Sequence, residues 1–250
     1  MTRPVFWLPS VVDGFVGAGD RIELTGQDGR HAVAVRRVRE GEDVELVDGT
    51  GLRLWCRVVD SGAERLVGEV LSVAREPEPQ PRLVVVQALA KGERSELAVE
   101  VLTEVGADVI VPWAAKRCVV QWRGPRAEKS ASRWAATARE AAKQSRRARK
   151  PVVAQLASTS DVTRLLQCAA LGVVLHEAAT APIAELEVPP QDDLVVVVGP
   201  EGGITDDEVA VFVAAGGLPV RLGPSVLRTS SAGLAACSVL LSRTPRWLST

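Results

Sequence analysis

The feature that most constrains the fold is the segment of residues 76–81, Glu-Pro-Glu-Pro-Gln-Pro, because the pattern of the chain changes there. Prolines at alternating positions prevent a helix and a central strand, so the segment predicts an extended spacer. Residues 1–75 hold short strand-like runs and glycine-rich turns, a pattern typical of a small β-barrel or sandwich. The later residues alternate apolar runs with helical spacing, which predicts an α/β fold with a mainly parallel sheet. The predicted domains are therefore residues 1–75 and 76–250.

The individual elements follow from hydrophobic period and turn residues. The strands predicted before the spacer are Val44–Asp48, Leu52–Val59 and Leu66–Val73, with a hairpin turn at Gly49-Thr50-Gly51 and a glycine-rich turn at Gly26–Gly29. The strands predicted after it are Leu83–Leu89, Val109–Pro112, Cys118–Gln121, Gly172–Leu175, Leu194–Val198 and Pro219–Leu222. The predicted helices are Ser95–Val105, Lys129–Ala148, Asp161–Ala170, Thr205–Ala215 and Ser230–Leu241.

Composition excludes several classes of protein. The four cysteines form no CxxC pair and only two histidines are present, so we expect no zinc site or other metal site. Aromatic residues make up 4% of the chain, too few for a platform on which RNA bases stack. No apolar run reaches the roughly 18 residues of a membrane span, and the first residues lack the apolar core of a signal peptide. We therefore expect a cytoplasmic protein that does not enter a membrane.

Positive charge is concentrated between Arg123 and Lys150. This segment has ten Lys or Arg and two acidic residues, whereas the whole chain has a formal net charge of −1. A basic block in a nearly neutral chain is a candidate surface for RNA phosphates. A solvated helix face would have the same charges, and the sequence does not separate the two interpretations.

Two loops are candidates for a ligand site, since open parallel sheets bind ligands at the carboxyl ends of their strands. The first is Gly199-Pro200-Glu201-Gly202-Gly203, after the predicted strand Leu194–Val198. A turn needs one or two glycines, so three indicate a close approach of the backbone to a ligand. Their spacing matches neither a dinucleotide fingerprint nor a P-loop.

The second loop extends from Leu222-Gly223-Pro224 to the predicted helix at Ser230. Arg228 lies just before that helix begins, where the helix dipole disfavours a cation. We therefore expect its guanidinium to serve a substrate.

Together the two loops resemble those of SPOUT methyltransferases, above all the RsmE-type enzymes that methylate N3 of a uridine in small-subunit ribosomal RNA. Further segments are similar to that family over nearly the whole chain. They are Lys91-Gly92-Glu93-Arg94, Thr103-Glu104-Val105-Gly106-Ala107, Glu140–Arg147, and His31 with Arg36, Arg37 and Gly41–Gly51. One departure is Ser230, since many members have glutamate after the Arg-Thr pair.

The resemblance implies a trefoil-knotted parallel-sheet domain after a PUA-like RNA-binding β-barrel, acting as a homodimer on ribosomal RNA with S-adenosylmethionine as cofactor. Arg228 is then the catalytic residue, stabilising negative charge on the uridine. The implied cofactor-binding residues are Leu175, His176, Glu177, Gly199, Pro200, Glu201, Gly202, Gly203, Leu222, Gly223, Val226 and Leu227. The expected RNA-binding residues are Arg3, Arg36, Arg37, Arg139, Lys143, Arg146, Arg147 and Arg149.

The general base stays open, with Glu201 and water as candidates. Two alternatives remain: a methyltransferase of the same fold that acts on another RNA, and a non-catalytic assembly factor that binds RNA.

Overall fold

The computed structural model describes residues 3–8, 14–62 and 64–248, which form two compact units. The first unit takes residues from Met1–Glu78 and Ala142–Lys150, and the second from Pro79–Ala141 and Pro151–Thr250. This division differs from the one predicted at the proline-rich segment, because residues 142–150 belong to the first unit.

The first unit is built on a five-stranded sheet in the order β1-β3-β4-β5-β2. Its strands are β1 (Val5–Trp7), β2 (Arg21–Leu24), β3 (Asp43–Val47), β4 (Leu52–Ser61) and β5 (Leu66–Arg75). The predicted hairpin is confirmed, since β3 and β4 pair antiparallel and Asp48 accepts hydrogen bonds from the backbone N–H groups of Thr50 and Leu52. Strand β1, which was not predicted, pairs with β3 in parallel.

The glycine-rich turn predicted at Gly26–Gly29 is wrong. Helix α1 (Gly26–Arg30) occupies this position and continues into a π-helix, His31–Val35. A Cβ at Gly29 would lie 2.6 Å from the carbonyl oxygen of Leu24 and 2.7 Å from that of Glu64. The glycine is therefore needed for a close backbone approach, which a sequence pattern does not distinguish from a turn.

Residues 142–150 are held in the first unit by buried contacts. The Lys143 ammonium forms an ion pair of 2.8 Å with Asp28, and both side chains are largely buried. Arg149 donates hydrogen bonds of 2.7 and 3.2 Å to the carbonyl oxygens of Glu76 and Pro77. Ala142 and Ala148 pack in one apolar cluster with Trp7 and Val47. These contacts explain why a segment so distant in sequence belongs to this unit.

The second unit contains a six-stranded parallel sheet in the order β11-β9-β10-β6-β7-β8, which confirms the predicted α/β class. Its strands are β6 (Arg82–Ala88), β7 (Val109–Trp113), β8 (Val152–Val153), β9 (Leu171–Leu175), β10 (Asp193–Val198) and β11 (Leu218–Val220). Side chains on both faces of β6 and β10 are buried, as expected for strands covered on both sides. The trefoil knot stays a prediction.

The remaining α-helices are α2 (Arg94–Val105), α3 (Pro125–Gln144), α4 (Thr159–Cys168), α5 (Asp206–Ala214), α6 (Thr229–Leu241) and α7 (Pro245–Leu248), and a short 3₁₀-helix spans Ile183–Glu185. A capping box formed by Thr205 and Glu208 begins α5. No described helix has the length and apolar character needed to cross a membrane.

Two further predictions about elements are wrong. Helix α3 ends at Gln144 rather than Ala148, because Arg146 has φ +58° and the Arg147 N–H turns back to the Ala142 carbonyl at 2.9 Å. The residue that ends a helix in the left-handed conformation is usually glycine. Because arginine occupies this position, the sequence does not indicate that the helix ends here. Residues 118–121 form no strand, since the Cys118 N–H bonds to the Ala115 carbonyl within a tight turn.

Candidate active site

A cavity of about 460 Å³ opens in the second unit where strands β9, β10 and β11 end. All twelve predicted cofactor-binding residues and Arg228 line it. The other residues around the cavity are Arg94, Val198, Ile204, Val220, Arg221, Pro224, Ser225, Thr229 and Ala232. The parallel sheet therefore brings the two loops together at one edge, as the position of each loop after a strand predicts.

The first loop has a fixed, closely packed backbone. A Cβ at Gly199 would lie 2.7 Å from Cγ1 of the buried Ile204, and one at Gly202 would lie 3.1 Å from Cβ of Arg117. Gly203 has φ +74°, which favours glycine, and its N–H donates to the Pro200 carbonyl at 2.9 Å. Each glycine of this loop thus has a structural reason, and the loop presents main-chain groups to the cavity.

The first loop is also anchored from outside. The Arg117 guanidinium donates to the Gly202 carbonyl at 3.1 Å, and the Glu201 carboxylate accepts from the Lys91 N–H at 3.1 Å. At the start of α5, the buried Glu208 accepts hydrogen bonds from the backbone N–H groups of Lys116 and Thr205. Burial alone would raise the pKa of Glu208, but these hydrogen bonds outweigh it and the pKa lies below its usual value.

The second loop leads into α6 through Arg228 and Thr229. Arg228 is the N-cap residue of α6, and its carbonyl accepts from the N–H groups of Ser231 and Ala232 at 2.9 Å. The Thr229 hydroxyl donates to the Gly199 carbonyl at 2.7 Å, and so joins the two loops. Val226 and Leu227 are exposed apolar residues on the cavity wall.

The cavity contains both signs of charge. Three guanidinium side chains line it, those of Arg94, Arg221 and Arg228, and two carboxylates, those of Glu177 and Glu201. His176 continues from β9 with its N–H bonded to the Val220 carbonyl at 3.0 Å, while its Nδ1 accepts from the Ala178 N–H. The site can thus offer carboxylates to a positive ligand and guanidinium groups to a negative one.

Arg94 was not among the site residues predicted from the sequence. It begins α2 at the cavity wall, where the helix dipole disfavours a cation as it does at Arg228. The same argument could therefore have found it. Thr229 was predicted only as part of the loop, because a hydroxyl at a helix start is most simply a cap.

The predicted RNA-binding residues differ in their accessibility. Arg36, Arg37, Arg139 and Arg146 are exposed, and Arg147 is half-buried. Arg3 is exposed in an ion pair of 3.4 Å with Asp43. Lys143 and Arg149, by contrast, point their charges into the first unit at Asp28 and at the Glu76 and Pro77 carbonyls. These two cations stabilise the fold and are not presented to a phosphate.

No group of three or more His, Cys, Asp or Glu side chains among the described residues is arranged to hold a metal. Burial raises the pKa of the Cys56 and Cys237 thiols to about 12, which makes both poor nucleophiles.

Residues 76–241 match a family model described as RNA methyltransferase domain, and residues 24–71 match one described as RNA methyltransferase PUA domain. The chain is 45% identical over 240 residues to the Mycobacterium tuberculosis protein named ribosomal RNA small subunit methyltransferase E, which covers 94% of this chain and 92% of that protein. The Bacillus subtilis protein of the same name is 30% identical over 231 residues, covering 88% and 90% of the two chains.

Solved structures resemble the whole chain. A methyltransferase from Legionella pneumophila, solved with the bound cofactor SAM, has a TM-score of 0.84 at 27% identity, covering 98% of this chain and 99% of that one. A ribosomal RNA small subunit methyltransferase E from Neisseria gonorrhoeae, bound to S-adenosyl methionine, has a TM-score of 0.82 at 27% identity, covering 96% and 98%.

Proposed function

Because the chain belongs to the family of ribosomal RNA small subunit methyltransferases E, we propose that it methylates N3 of a uridine in small-subunit ribosomal RNA, using S-adenosylmethionine. The observation that supports this most is the cavity that the two predicted ligand loops line together with Arg228. Two of the similar solved structures, those from Legionella pneumophila and Neisseria gonorrhoeae, hold that cofactor. Such a substrate implies a cytoplasmic protein.

The cavity suits S-adenosylmethionine in shape and charge. Val198, Val220 and Leu222 supply apolar wall against which an adenine ring can pack, and the backbone of Gly199–Gly203 supplies hydrogen-bonding groups. Glu177 suits the ribose hydroxyls, because ionised carboxylates only accept hydrogen bonds. When bound, S-adenosylmethionine supplies an electrophilic methyl group on a sulfonium, and transfer leaves the bond pair on sulfur. Val226 and Leu227, apolar residues on the cavity wall, would limit the access of water to that sulfonium.

Arg228 acts on the uridine rather than on the cofactor. N3 of a neutral uridine carries a proton, which must leave before N3 can attack, and the resulting negative charge spreads onto O2 and O4. The Arg228 guanidinium stabilises that charge. Removing such a donor typically lowers the rate by about 10²–10³. Arginine is not the base, since it stays protonated at neutral pH.

The base is water or Glu201. Glu201 lines the cavity, but one of its oxygens accepts from the Lys91 N–H, so only its other oxygen is available to take a proton. Arg94 is a second cation on the cavity wall and suits an RNA phosphate or a uracil oxygen.

Each of the two units contributes exposed arginines to RNA binding. The first unit, which matches the PUA domain model over residues 24–71, offers the exposed Arg36, Arg37 and Arg146, and the second unit offers Arg139 on α3. Guanidinium groups form bidentate contacts with phosphates. We further propose a homodimer, as the resemblance implies, and light scattering of the purified protein measures this directly.

The experiment that tests the function is mass spectrometry of ribosomal RNA from a strain that lacks this protein. We expect one methyluridine to disappear from the small-subunit RNA and to return when the gene is restored. An unchanged methylation map would refute the proposal. Purified protein, incubated with S-adenosylmethionine and either naked RNA or assembled small subunits from that strain, identifies the substrate form. The loss of a ribose methyl group instead would favour the alternative of another RNA methylation on the same fold.

A further inference from the structure

A buried glutamine lies behind the cavity and is not among the residues that line it. Gln87 is the second-last residue of β6 and has 1% of its surface exposed. Its side-chain nitrogen donates hydrogen bonds of 3.1 Å to the Ala88 carbonyl and 3.0 Å to the Thr229 hydroxyl. Its side-chain oxygen is buried without a hydrogen-bond partner among the described residues.

The orientation of this amide follows from its neighbours. The Ala88 carbonyl can only accept a hydrogen bond, and the single hydroxyl proton of Thr229 is donated to the Gly199 carbonyl. The group facing both must therefore be the NH₂ of Gln87. A flipped amide would place its oxygen against the Ala88 carbonyl. The buried oxygen without a partner is thus a consequence of keeping the nitrogen on Thr229.

The three residues form one hydrogen-bonded chain, from Gln87 through Thr229 to Gly199. Gly199 begins the first loop, and Thr229 directly follows Arg228 at the start of α6. By occupying the acceptor side of the Thr229 hydroxyl, the amide directs the hydroxyl proton to Gly199. These hydrogen bonds therefore fix the first loop relative to Thr229, and so relative to its neighbour Arg228.

Stability alone does not account for Gln87. A buried polar atom without a partner destabilises a fold, and an apolar side chain of equal size would avoid this. Residues that hold a constellation in its productive geometry often violate such packing rules. We propose that Gln87 is a positioning residue for methyl transfer, acting through Thr229 to hold the cofactor loop and Arg228 in one arrangement. This inference rests on the proposed function.

The test compares stability with the rate of transfer. Gln87→Met keeps the length of the side chain and removes both the amide nitrogen and the amide oxygen. We expect its Tm to equal or exceed that of the wild type, while the single-turnover rate at saturating cofactor and RNA falls by about tenfold, the size expected for one hydrogen bond. The single-turnover rate of Thr229→Val should fall by a similar factor. Thr229→Ser, which retains the hydroxyl, should keep most of the wild-type rate.

Thr244→Val is the matched control. Thr244 is buried and donates its hydroxyl to the Leu241 carbonyl at 2.8 Å, but it does not line the cavity. We expect this variant to lose Tm without losing the single-turnover rate. The double variant Gln87→Met with Thr229→Val should be little slower than either single variant, because both remove the same link.

The outcomes separate the two proposals. The positioning role is overturned if the wild type methylates RNA and the single-turnover rate of Gln87→Met is within about twofold of the wild-type rate. Such a difference is smaller than the effect expected from the loss of one hydrogen bond. A rate that falls only in step with Tm, or a Thr229→Ser variant as slow as Thr229→Val, also overturns it. If the wild type methylates neither naked RNA nor small subunits, the proposed function itself fails.

Discussion

The Glu201 carboxylate accepts a hydrogen bond of 3.1 Å from the backbone N–H of Lys91. This contact joins the glycine-rich loop after β10 to the segment before α2, two parts of the chain 110 residues apart. It brings together Lys91–Arg94 and Gly199–Gly203, two segments that both resemble the family, and Arg94 lies on the same cavity as Arg228. It also engages Glu201 and so weakens the case for this residue as general base.

Arg228→Ala should abolish most turnover. We expect the rate of methyl transfer to fall by about 10²–10³, the loss typical of one oxyanion-stabilising donor, because Arg228 stabilises charge that develops on the uracil. Donor affinity, measured by calorimetry, should change no more than a few-fold. A collapse of donor affinity would instead place Arg228 in the cofactor site.

The control for this variant is Arg164→Ala. Arg164 lies on α4, pairs with Asp161 at an exposed site, and does not line the cavity, so its removal should leave both rate and donor affinity unchanged. A loss of rate here would indicate a general effect of removing positive charge.

Gly199→Ala and Gly223→Ala should act differently. A Cβ at Gly199 would lie 2.7 Å from Ile204 Cγ1, whereas one at Gly223 meets nothing within 4 Å. We expect Gly199→Ala to lower Tm through steric strain. Gly223→Ala should leave Tm unchanged and weaken donor binding, because its methyl group enters the space that the donor would fill. Thermal melts with and without S-adenosylmethionine measure both effects, and unchanged donor binding in Gly223→Ala would remove Gly223 from the cofactor site.

Lys143→Met should destabilise the protein by about 3 kcal/mol, because it removes the buried ammonium that pairs with the Asp28 carboxylate. Lys129→Met, at an exposed position on α3, should change the free energy of unfolding much less. Chemical denaturation at neutral pH measures both. A Lys143→Met variant as stable as the wild type would mean that Lys143 contributes little to the fold.

RNA affinity should depend on the exposed arginines and on salt. Replacing Arg36, Arg37, Arg139 and Arg146 by alanine should weaken RNA binding, and each lost phosphate contact should reduce the slope of log K against log salt by about 0.7 for single-stranded RNA. Titrations at several salt concentrations measure this slope. A slope that these substitutions leave unchanged would exclude them from the RNA-binding surface.

Glu208→Gln should destabilise the second unit at neutral pH. The lowered pKa of Glu208 means that its charged form stabilises the fold fully above the usual pKa of about 4.3. That contribution is lost as the pH falls through the lower pKa of the folded protein. The difference in stability between the wild type and Glu208→Gln should therefore shrink in acid. A difference that stays constant down to pH about 2, below the usual range of carboxylate pKa values, would argue against this assignment.

The periodicity of hydrophobic residues and the spacing of glycines predicted those elements of the fold that depend on residues close together in the sequence. Strand β10 and its glycine-rich loop are an example, since a continuous apolar run and a cluster of glycines are both visible in the sequence. Interactions between distant residues were not predictable in this way. Gln87 gives no local signal that it contacts Thr229, 142 residues away. The sequence does not distinguish between the basic residues at the end of α3 and just after it. In the structure, however, Lys143 is in a buried ion pair and Arg146 is exposed.

Residues 142–150 have a consequence for the synthesis of this protein. Ala142–Lys150 supplies apolar contacts to Trp7 and Val47, and the ammonium that pairs with Asp28. A ribosome must therefore translate past residue 150 before the N-terminal unit can complete its core. During that interval the nascent chain lacks the Ala142 and Ala148 contacts of Trp7 and Val47, so the N-terminal unit reaches its full stability only late in synthesis.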